Sequence, residues 1–398
     1  MKRWIAMLMA LCLLFAMTAC GQTQTSTPTN APAESNPVVK IGIFEPASGD
    51  NGAGGKQETL GIEYANSVQP TVEIDGVTYD VVLVPVDNES SNDKAPSAAS
   101  TLVSEGCSVV LGSYGSSVSM AGGPTFEAAG IPVIGVTCTN PQVTEGNTYY
   151  FRVCFLDPFQ GPVLANYAYG NLSVTKAYCL SKLGDDYSGG LVNYFAEAFE
   201  GLGGEVVKAE FPEGNSDFSS YITSAKNEGC GVFFAPVSTE AAQLIISAAA
   251  SQGLGMPLLA GDTWDSNVIL EAAKGTDAEV TVTTFYASGT NPEFETSIRE
   301  WISADSARLD KNGGNDMLAA VTVMGYDAYF VALEAIKAAG SADPAAVNEA
   351  LWGVNYEGIS GLIQFDENGD AIVSTAYVKG ADTENGTWVD IGAVTIEG

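Results

Sequence analysis

The 398-residue chain contains no histidine. Ser-His-Asp and Cys-His nucleophile systems need an imidazole to carry a proton, so both are excluded. No histidine completes a zinc site, and no CxxC pair starts one. A G-x-S-x-G nucleophile elbow is also lacking. Basic residues are scarce: 16 Lys and Arg stand against 48 Asp and Glu, a formal net charge of −32. That sign argues against nucleic acid as a partner and against docking on anionic lipid through a basic patch. The stretch Gly49-Asp50-Asn51-Gly52-Ala53-Gly54-Gly55-Lys56-Gln57 fails the phosphate-loop pattern twice. Asp50 stands where the first glycine belongs, and Gln57 replaces the Ser or Thr after the lysine. No spacing singles out a carboxylate pair for acid–base work, so nothing points to an enzyme, a cofactor or a resident metal.

Long apolar runs are missing too. Residues 5–16, behind Lys2 and Arg3, are apolar but fall short of the roughly 20 residues that span a bilayer. They lead to Met17-Thr18-Ala19-Cys20-Gly21, small residues before a cysteine. Residues 1–20 thus read as a bacterial lipoprotein signal with Cys20 the lipidated residue; the alternative is a plain secretory signal with an incidental cysteine. Several acyl chains on one residue hold a protein at a membrane, where a single chain anchors only marginally. Residues 21–37, rich in Thr, Pro, Asn and Ala, have too little apolar surface to fold and are expected to be a flexible tether. Of seven cysteines, Cys12 lies in the signal and Cys20 takes the lipid. Cys107, Cys138, Cys154, Cys179 and Cys230 are odd in number and irregularly spaced, so buried free thiols are expected. Free thiols in an exported chain suggest a host with little oxidising machinery.

What remains, about 360 residues, is enough for two domains. From Val38 onward short apolar strands alternate with amphipathic helices, twice over, which predicts α/β architecture: two doubly wound, Rossmann-like lobes with parallel sheets covered on both faces. Strands are expected near 39–44, 79–86, 107–111 and 131–134, then near 176–181, 205–209, 231–235 and 257–259. The stretch 46–55 reads as a Gly-rich turn before a helix over 57–68. Long helices at 292–309 and 317–339, then hairpin-like segments, suggest that the chain crosses back between lobes through a hinge with multiple crossovers. The expected first lobe is 38–157 plus 287–361, and the second is 158–286 plus 362–398.

In such sheets ligands sit beyond the carboxyl ends of the strands. The loops to inspect are therefore 45–55, 112–117, 135–140, 184–187, 236–238 and 261–265. Gly115 and Ser116 precede a helix whose N-terminal N–H groups favour an anion; the serine either binds a carboxylate or caps the helix. Thr137 and Thr139 add hydroxyls on the adjacent strand end. Asp262 beside Trp264 offers an acid for an ammonium with an aromatic wall, or a helix cap, a role that suits Asp265 better. Tyr187 is a cleft wall or a helix-start residue.

At these residues the chain resembles the substrate-binding lipoproteins of ABC importers in the leucine/isoleucine/valine-binding family, which have the type I periplasmic-binding-protein fold. The resemblance covers Val38 to the C-terminus. It rests on VKIGIFEPASGDNG, VVLGSYGSSVSMAGGPTFEAAGIPVIGVTCTNPQVT, YFRVCFLDPFQGPVLANYA, LGDDYSGGL, FPEGNSDFSSYI, AGDTWDS, GYDAYFVALEAIKAAG and GISGLIQFDENGDA, in that order. It implies that Ser116, Thr137 and Thr139, with Gly115 alongside, hold a ligand α-carboxylate, that Asp262 meets the α-ammonium, and that Tyr187 is a cleft tyrosine. The small run Gly52-Ala53-Gly54-Gly55 and the aromatic-free Ala235-Pro236-Val237-Ser238 depart from the family and imply a roomier cleft. The implied function is an extracytoplasmic, membrane-anchored monomer. It binds an amino acid, branched-chain or a similar small zwitterion, and delivers it to a membrane permease. A receptor for an amide, urea, short peptide or aromatic acid, or a sensor without transport, is the alternative.

Overall fold

Residues 35–395 are described by the structure, a computed structural model. The expected signal, Cys20, and all but residues 35–37 of the expected tether lie outside the described residues. Strand β1 (Val38–Glu45) is buried along almost its whole length, as a central strand covered on both faces must be. After it come α1 (Gly52–Val68), β2 (Thr71–Ile74), β3 (Val77–Asp87), α2 (Ala95–Glu105), β4 (Val109–Leu111), α3 (Ser116–Ala129), β5 (Val133–Gly135) and β6 (Tyr150–Arg152). These strands form one sheet in the order β2-β3-β1-β4-β5-β6, parallel except for β2. In register, Ile41 of β1 faces Leu83 on one side and Val109 on the other.

The second lobe repeats the scheme: α4 (Asp157–Asn166), β7 (Lys176–Lys182), α5 (Asp186–Gly201), β8 (Glu205–Phe211), α6 (Ser219–Asn227), β9 (Val232–Phe234), α7 (Thr239–Ser251), β10 (Leu258–Ala260), α8 (Asn267–Ala273) and β11 (Val280–Thr284). The chain returns to the first lobe for α9 (Pro292–Ser303), α10 (Ser306–Lys311), α11 (Ala320–Ala339), α12 (Pro344–Leu351) and the hairpin β12 (Asn355–Glu357) and β13 (Leu362–Gln364). It ends in β14 (Thr375–Asp382) and β15 (Thr387–Thr395), which complete a sheet ordered β15-β14-β11-β10-β9-β7-β8. Strand order reverses between β1 and β4 in the first sheet and between β7 and β9 in the second. At those points adjacent loops diverge and leave a crevice.

Local composition misled at several places. The expected turn before residue 57 is helical, because α1 starts at Gly52. Glycine disfavours a helix by about 1 kcal/mol per residue, but here close packing requires it. A Cβ on Gly61 would stand 1.9 Å from the Thr322 carbonyl oxygen, and one on Gly325 2.3 Å from that of Glu58, so α1 and α11 touch backbone to backbone. The single helix expected over 292–309 is two, because the Asp305 carboxylate accepts from the Ala307 N–H at 2.7 Å and starts α10. Strands β2, β6 and β11 were not expected at all, whereas the helix expected to start near residue 266 is α8.

The last crossover also falls later than expected. Leu362–Gln364 pairs with β12, and Arg152 N donates to Gly369 O at 3.0 Å while Ala371 N donates to Arg152 O at 3.0 Å. A buried ion pair, Arg152 Nε to Asp370 Oδ1 at 2.6 Å, ties this segment to β6. Residues 362–371 therefore stay with the first lobe, and the chain crosses at 372–374. The five cysteines at 107, 138, 154, 179 and 230 are all free and buried, as expected. No helix among the described residues is long and apolar enough to cross a membrane.

Candidate functional site

The carboxyl ends of the two sheets face each other across a cavity of about 420 Å³. The first lobe contributes Asp50 and Asn51 after β1, and Tyr114, Gly115, Ser117 and Val118 after β4; the second contributes Lys182, Asp185 and Tyr187 after β7, Ser238 after β9 and Thr263 after β10. Five of the six loops marked in the sequence thus line it, the exception being 135–140, and residues 89–93 after β3 join them. Helix α3 opens into the cavity with Gly115 as its N-cap and no side chain capping it. Its N–H groups and dipole therefore point at whatever enters.

A hydrogen-bonded relay runs under the cavity wall. Gln160 Nε2 of α4 donates to Asp262 Oδ1 at 2.8 Å and reaches Thr139 Oγ1 of the first lobe at 3.4 Å. Tyr187 donates its hydroxyl to the same Asp262 oxygen at 2.9 Å. Gln160 Oε1 accepts from Thr283 Oγ1 at 2.8 Å, which fixes the amide's orientation. Asp262 is 1% exposed, and burial pushes its carboxyl up to about 7, against the hydrogen bonds from Gln160 and Tyr187. Burial also raises the neighbouring Asp157 to about 6. No Lys or Arg forms an ion pair with Asp262 among the described residues. A carboxylate held in low dielectric with donors but no cation is a seat for an incoming ammonium.

Two buried ion pairs brace the loops. Arg152 donates to Cys138 O at 2.8 Å while bound to Asp370, which holds the turn carrying Thr139. Lys379 pairs with Asp265 at 3.1 Å, and Asp265 also accepts from Thr284 Oγ1, which holds the turn carrying Asp262.

On the first-lobe side, Glu45 and Glu58 lie fully buried together. Burial raises Glu45 well above the carboxylate range and the neighbouring Glu58 charge adds to it; burial likewise raises Glu58. Thr137 Oγ1 is hydrogen-bonded to Glu58 Oε1, and the Tyr114 N–H donates to Glu45 Oε2 at 2.7 Å. The Tyr114 ring covers Gly54, where a Cβ would lie 2.3 Å from the ring's Cζ, and its hydroxyl reaches Thr263 O of the other lobe at 3.0 Å. The room expected from the small run 52–55 is therefore filled by Tyr114 from the loop after β4.

Direct bonds draw the lobes together around the cavity. Lys182 Nζ lies 2.7 Å from Asp50 Oδ2 of the opposite lobe and 2.6 Å from Glu213 Oε2. Ser117 Oγ donates to Asp185 Oδ1 at 3.0 Å and accepts from the Asp186 N–H at 2.9 Å. Asn140 Nδ2 donates to Asp186 O at 2.8 Å, and the Glu240 N–H to Asp50 O at 3.1 Å.

Of the residues singled out in the sequence, Gly115 and Tyr187 line the cavity. Asp262 and Thr139 stand behind its wall in one relay, and Thr137 sits on Glu58. Ser116 is buried at the start of α3, its Oγ accepting from the Asn140 N–H at 3.2 Å. Trp264 is not a cleft wall. The tight turn Asp262–Trp264 advances about 120° per residue, so it brings Thr263 to the cavity wall, leaves Asp262 buried behind it and sends the indole inward. There it is fully buried in the second-lobe core, Nε1 donating to Val237 O at 3.1 Å. Gln160, Tyr114, Glu58 and Lys182 were missed as site residues. Only Tyr114, inside a loop already marked, carried a local signal.

Two α/β lobes closed over a polar cavity, with a buried acid behind one wall and an uncapped helix end on the other, define a cleft-binding protein of small solutes. A family model described as periplasmic binding protein matches residues 38–386, and the chain belongs to that family. The chain is similar to the leucine-binding protein LivK of Thermotoga maritima MSB8, with 32% identity, 90% of this chain and 99% of that one covered, and a TM-score of 0.80. The Streptococcus pneumoniae branched-chain amino acid transporter substrate-binding protein LivJ, solved with isoleucine, is 24% identical with a TM-score of 0.77 over 91% of this chain and all of that one. The Leu/Ile/Val-binding protein homolog 1 of Brucella suis biovar 1 is 28% identical over 352 residues, 86% of this chain and 91% of the relative.

Proposed function

We propose that this protein is the extracytoplasmic solute-binding receptor of an ABC importer, and that its ligand is an amino acid. The observation that carries the reading is the buried Asp262 carboxylate, without a cationic partner among the described residues, lying behind the second-lobe wall of a cavity into which the uncapped start of α3 opens from the first lobe. The ligand α-carboxylate docks at Gly115 and the Ser116 hydroxyl, and its ammonium displaces the neutral donors on Asp262. Each lobe supplies half of the polar partners, so the ligand favours the closed arrangement by its differential contacts. Similarity to LivK of Thermotoga maritima MSB8 supports an amino-acid ligand. Delivery goes to a membrane permease, the chain acts as a monomer, and Cys20 carries the lipid that keeps it at the membrane. The role is binding rather than catalysis, since no group in the cleft is arranged as a nucleophile with its base.

Isothermal titration calorimetry of the lipid-free protein, residues 21–398, against the twenty amino acids tests this reading. Heat for at least one α-amino acid, abolished by removal of either its α-amino or its α-carboxyl group, is the expected result. Equal binding of the des-amino analogue would remove the role given to Asp262.

A further inference from the structure

The cavity wall carries more information than the α-carbon chemistry uses. We propose that the ligand bears a second cationic group at its far end, as in a basic amino acid; this rests on the receptor reading above. The cleft between the lobes makes the cavity a binding site, and the charge on its wall decides the ligand.

That wall contains five carboxylates, Asp50, Glu89, Asp93, Asp185 and Glu213, and a single basic residue, Lys182. Lys182 is already engaged by Asp50 at 2.7 Å and Glu213 at 2.6 Å, so its charge is answered within the wall. Asp185 accepts from neutral donors, the Ser188 N–H at 2.9 Å and Ser117 Oγ at 3.0 Å. Glu89 faces Lys94 at 3.9 Å with both side chains more than half exposed, a pairing too loose to neutralise it. Asp93 has no ion-pair partner among the described residues.

An aliphatic side chain finds little here. Tyr114, Val118, Tyr187 and Leu183 are the large apolar members of the wall, and Leu183 is 60% exposed. Burial of a leucyl group needs a continuous apolar surface to gain its transfer free energy, and this wall interrupts one with charge. An anionic side chain meets four uncompensated negative charges (five carboxylates less one lysine). A guanidinium or ammonium meets the opposite sign. A cleft lined by one charge with low-dielectric walls concentrates counter-ions and speeds their entry. Glu89 and Asp93 are exposed members of the wall, and exposed charges act mainly on association and on salt dependence.

The test is calorimetry on residues 21–398 with L-arginine, L-citrulline, L-leucine and L-glutamate, at low and at physiological ionic strength. Citrulline matches arginine in shape without its charge. The expected result is arginine at least tenfold tighter than citrulline, with the ratio shrinking as salt rises, and glutamate silent. The double variant Glu89→Gln/Asp93→Asn is expected to reduce the arginine-to-citrulline ratio severalfold and slow arginine association. Citrulline equal to arginine, or leucine tightest, overturns this inference and leaves the receptor reading standing. Silence across all twenty amino acids overturns both.

Discussion

On the proposed reading the Asp262 carboxyl, raised to about 7, must be ionised to hold an ammonium, which links ligand binding to a proton. Burial raises its pKa to about 7, while an ammonium in contact pulls it back down. Below pH 7 the free receptor carries a proton that binding expels; above pH 7 it carries none. Affinity therefore rises with pH up to about 7 and then levels. At pH 5, two units below the free value, the linkage weakens binding by about 2.7 kcal/mol, about a hundredfold. Calorimetry in buffers of different ionisation heat counts the protons: about one released at pH 5 and almost none at pH 8.5. Asp157, raised to about 6, and the Glu45–Glu58 pair titrate nearby, so a second measurement isolates Asp262. In Asp262→Asn the proton release at pH 5 should fall by about one. Affinity at pH 8 should drop by about 2–5 kcal/mol, roughly thirtyfold to several thousandfold, because a buried ammonium loses its charged partner. A wild-type affinity that is flat from pH 5 to pH 8.5 would refute the reasoning.

Gly54→Ala places a Cβ 2.3 Å from the Tyr114 ring and must push it off the cleft wall. It should destabilise the protein by about 1–3 kcal/mol, read as a lowered melting temperature, and weaken ligand binding. Lys182→Met breaks the bridge between Asp50 and Glu213. It should alter stability by at most about 1 kcal/mol, yet small-angle scattering of the ligand-free protein should show a larger radius of gyration as the lobes part. Stability itself should depend on pH with a definite sign. Asp262, Asp157 and Asp327 have pKa values raised by burial to about 7, 6 and 6, so each binds its proton more tightly folded than unfolded. Their contribution is full below about pH 4 and is lost as pH rises through 6 to 7. Scanning calorimetry of the ligand-free protein should accordingly give a higher melting temperature at pH 5.5 than at pH 8.

Much of this was legible along the chain. Alternating apolar strands and amphipathic helices, such as Val38–Glu45 followed by α1, depend on local periodicity and predicted both sheets. The rule that ligands lie at strand carboxyl ends then marked five loops that do line the cavity. The absence of histidine and the shortage of basic residues removed whole classes of function without any structure. The resemblance put Asp262 and Tyr187 in one site, and the structure joins them by a 2.9 Å hydrogen bond.

Long-range packing decided the rest. Nothing in GAGG says helix, because what crowds its glycines lies outside the run: the Tyr114 ring covers Gly54 and the Pro46 carbonyl lies against Gly55. Trp264 looked like a cleft wall from its neighbour Asp262, but the sense of one tight turn sent it into the core. Gln160 had no local mark; its role exists only because α4 brings its amide between Thr139 and Asp262. Composition gave an acidic chain, and only folding gathered Asp50, Glu89, Asp93, Asp185 and Glu213 around one cavity. The sequence by itself determined the architecture and the kind of site, since both follow from patterns a few residues long. Which side chains face the ligand was settled by contacts between residues far apart in the chain, and those exist only once the two lobes have folded and met.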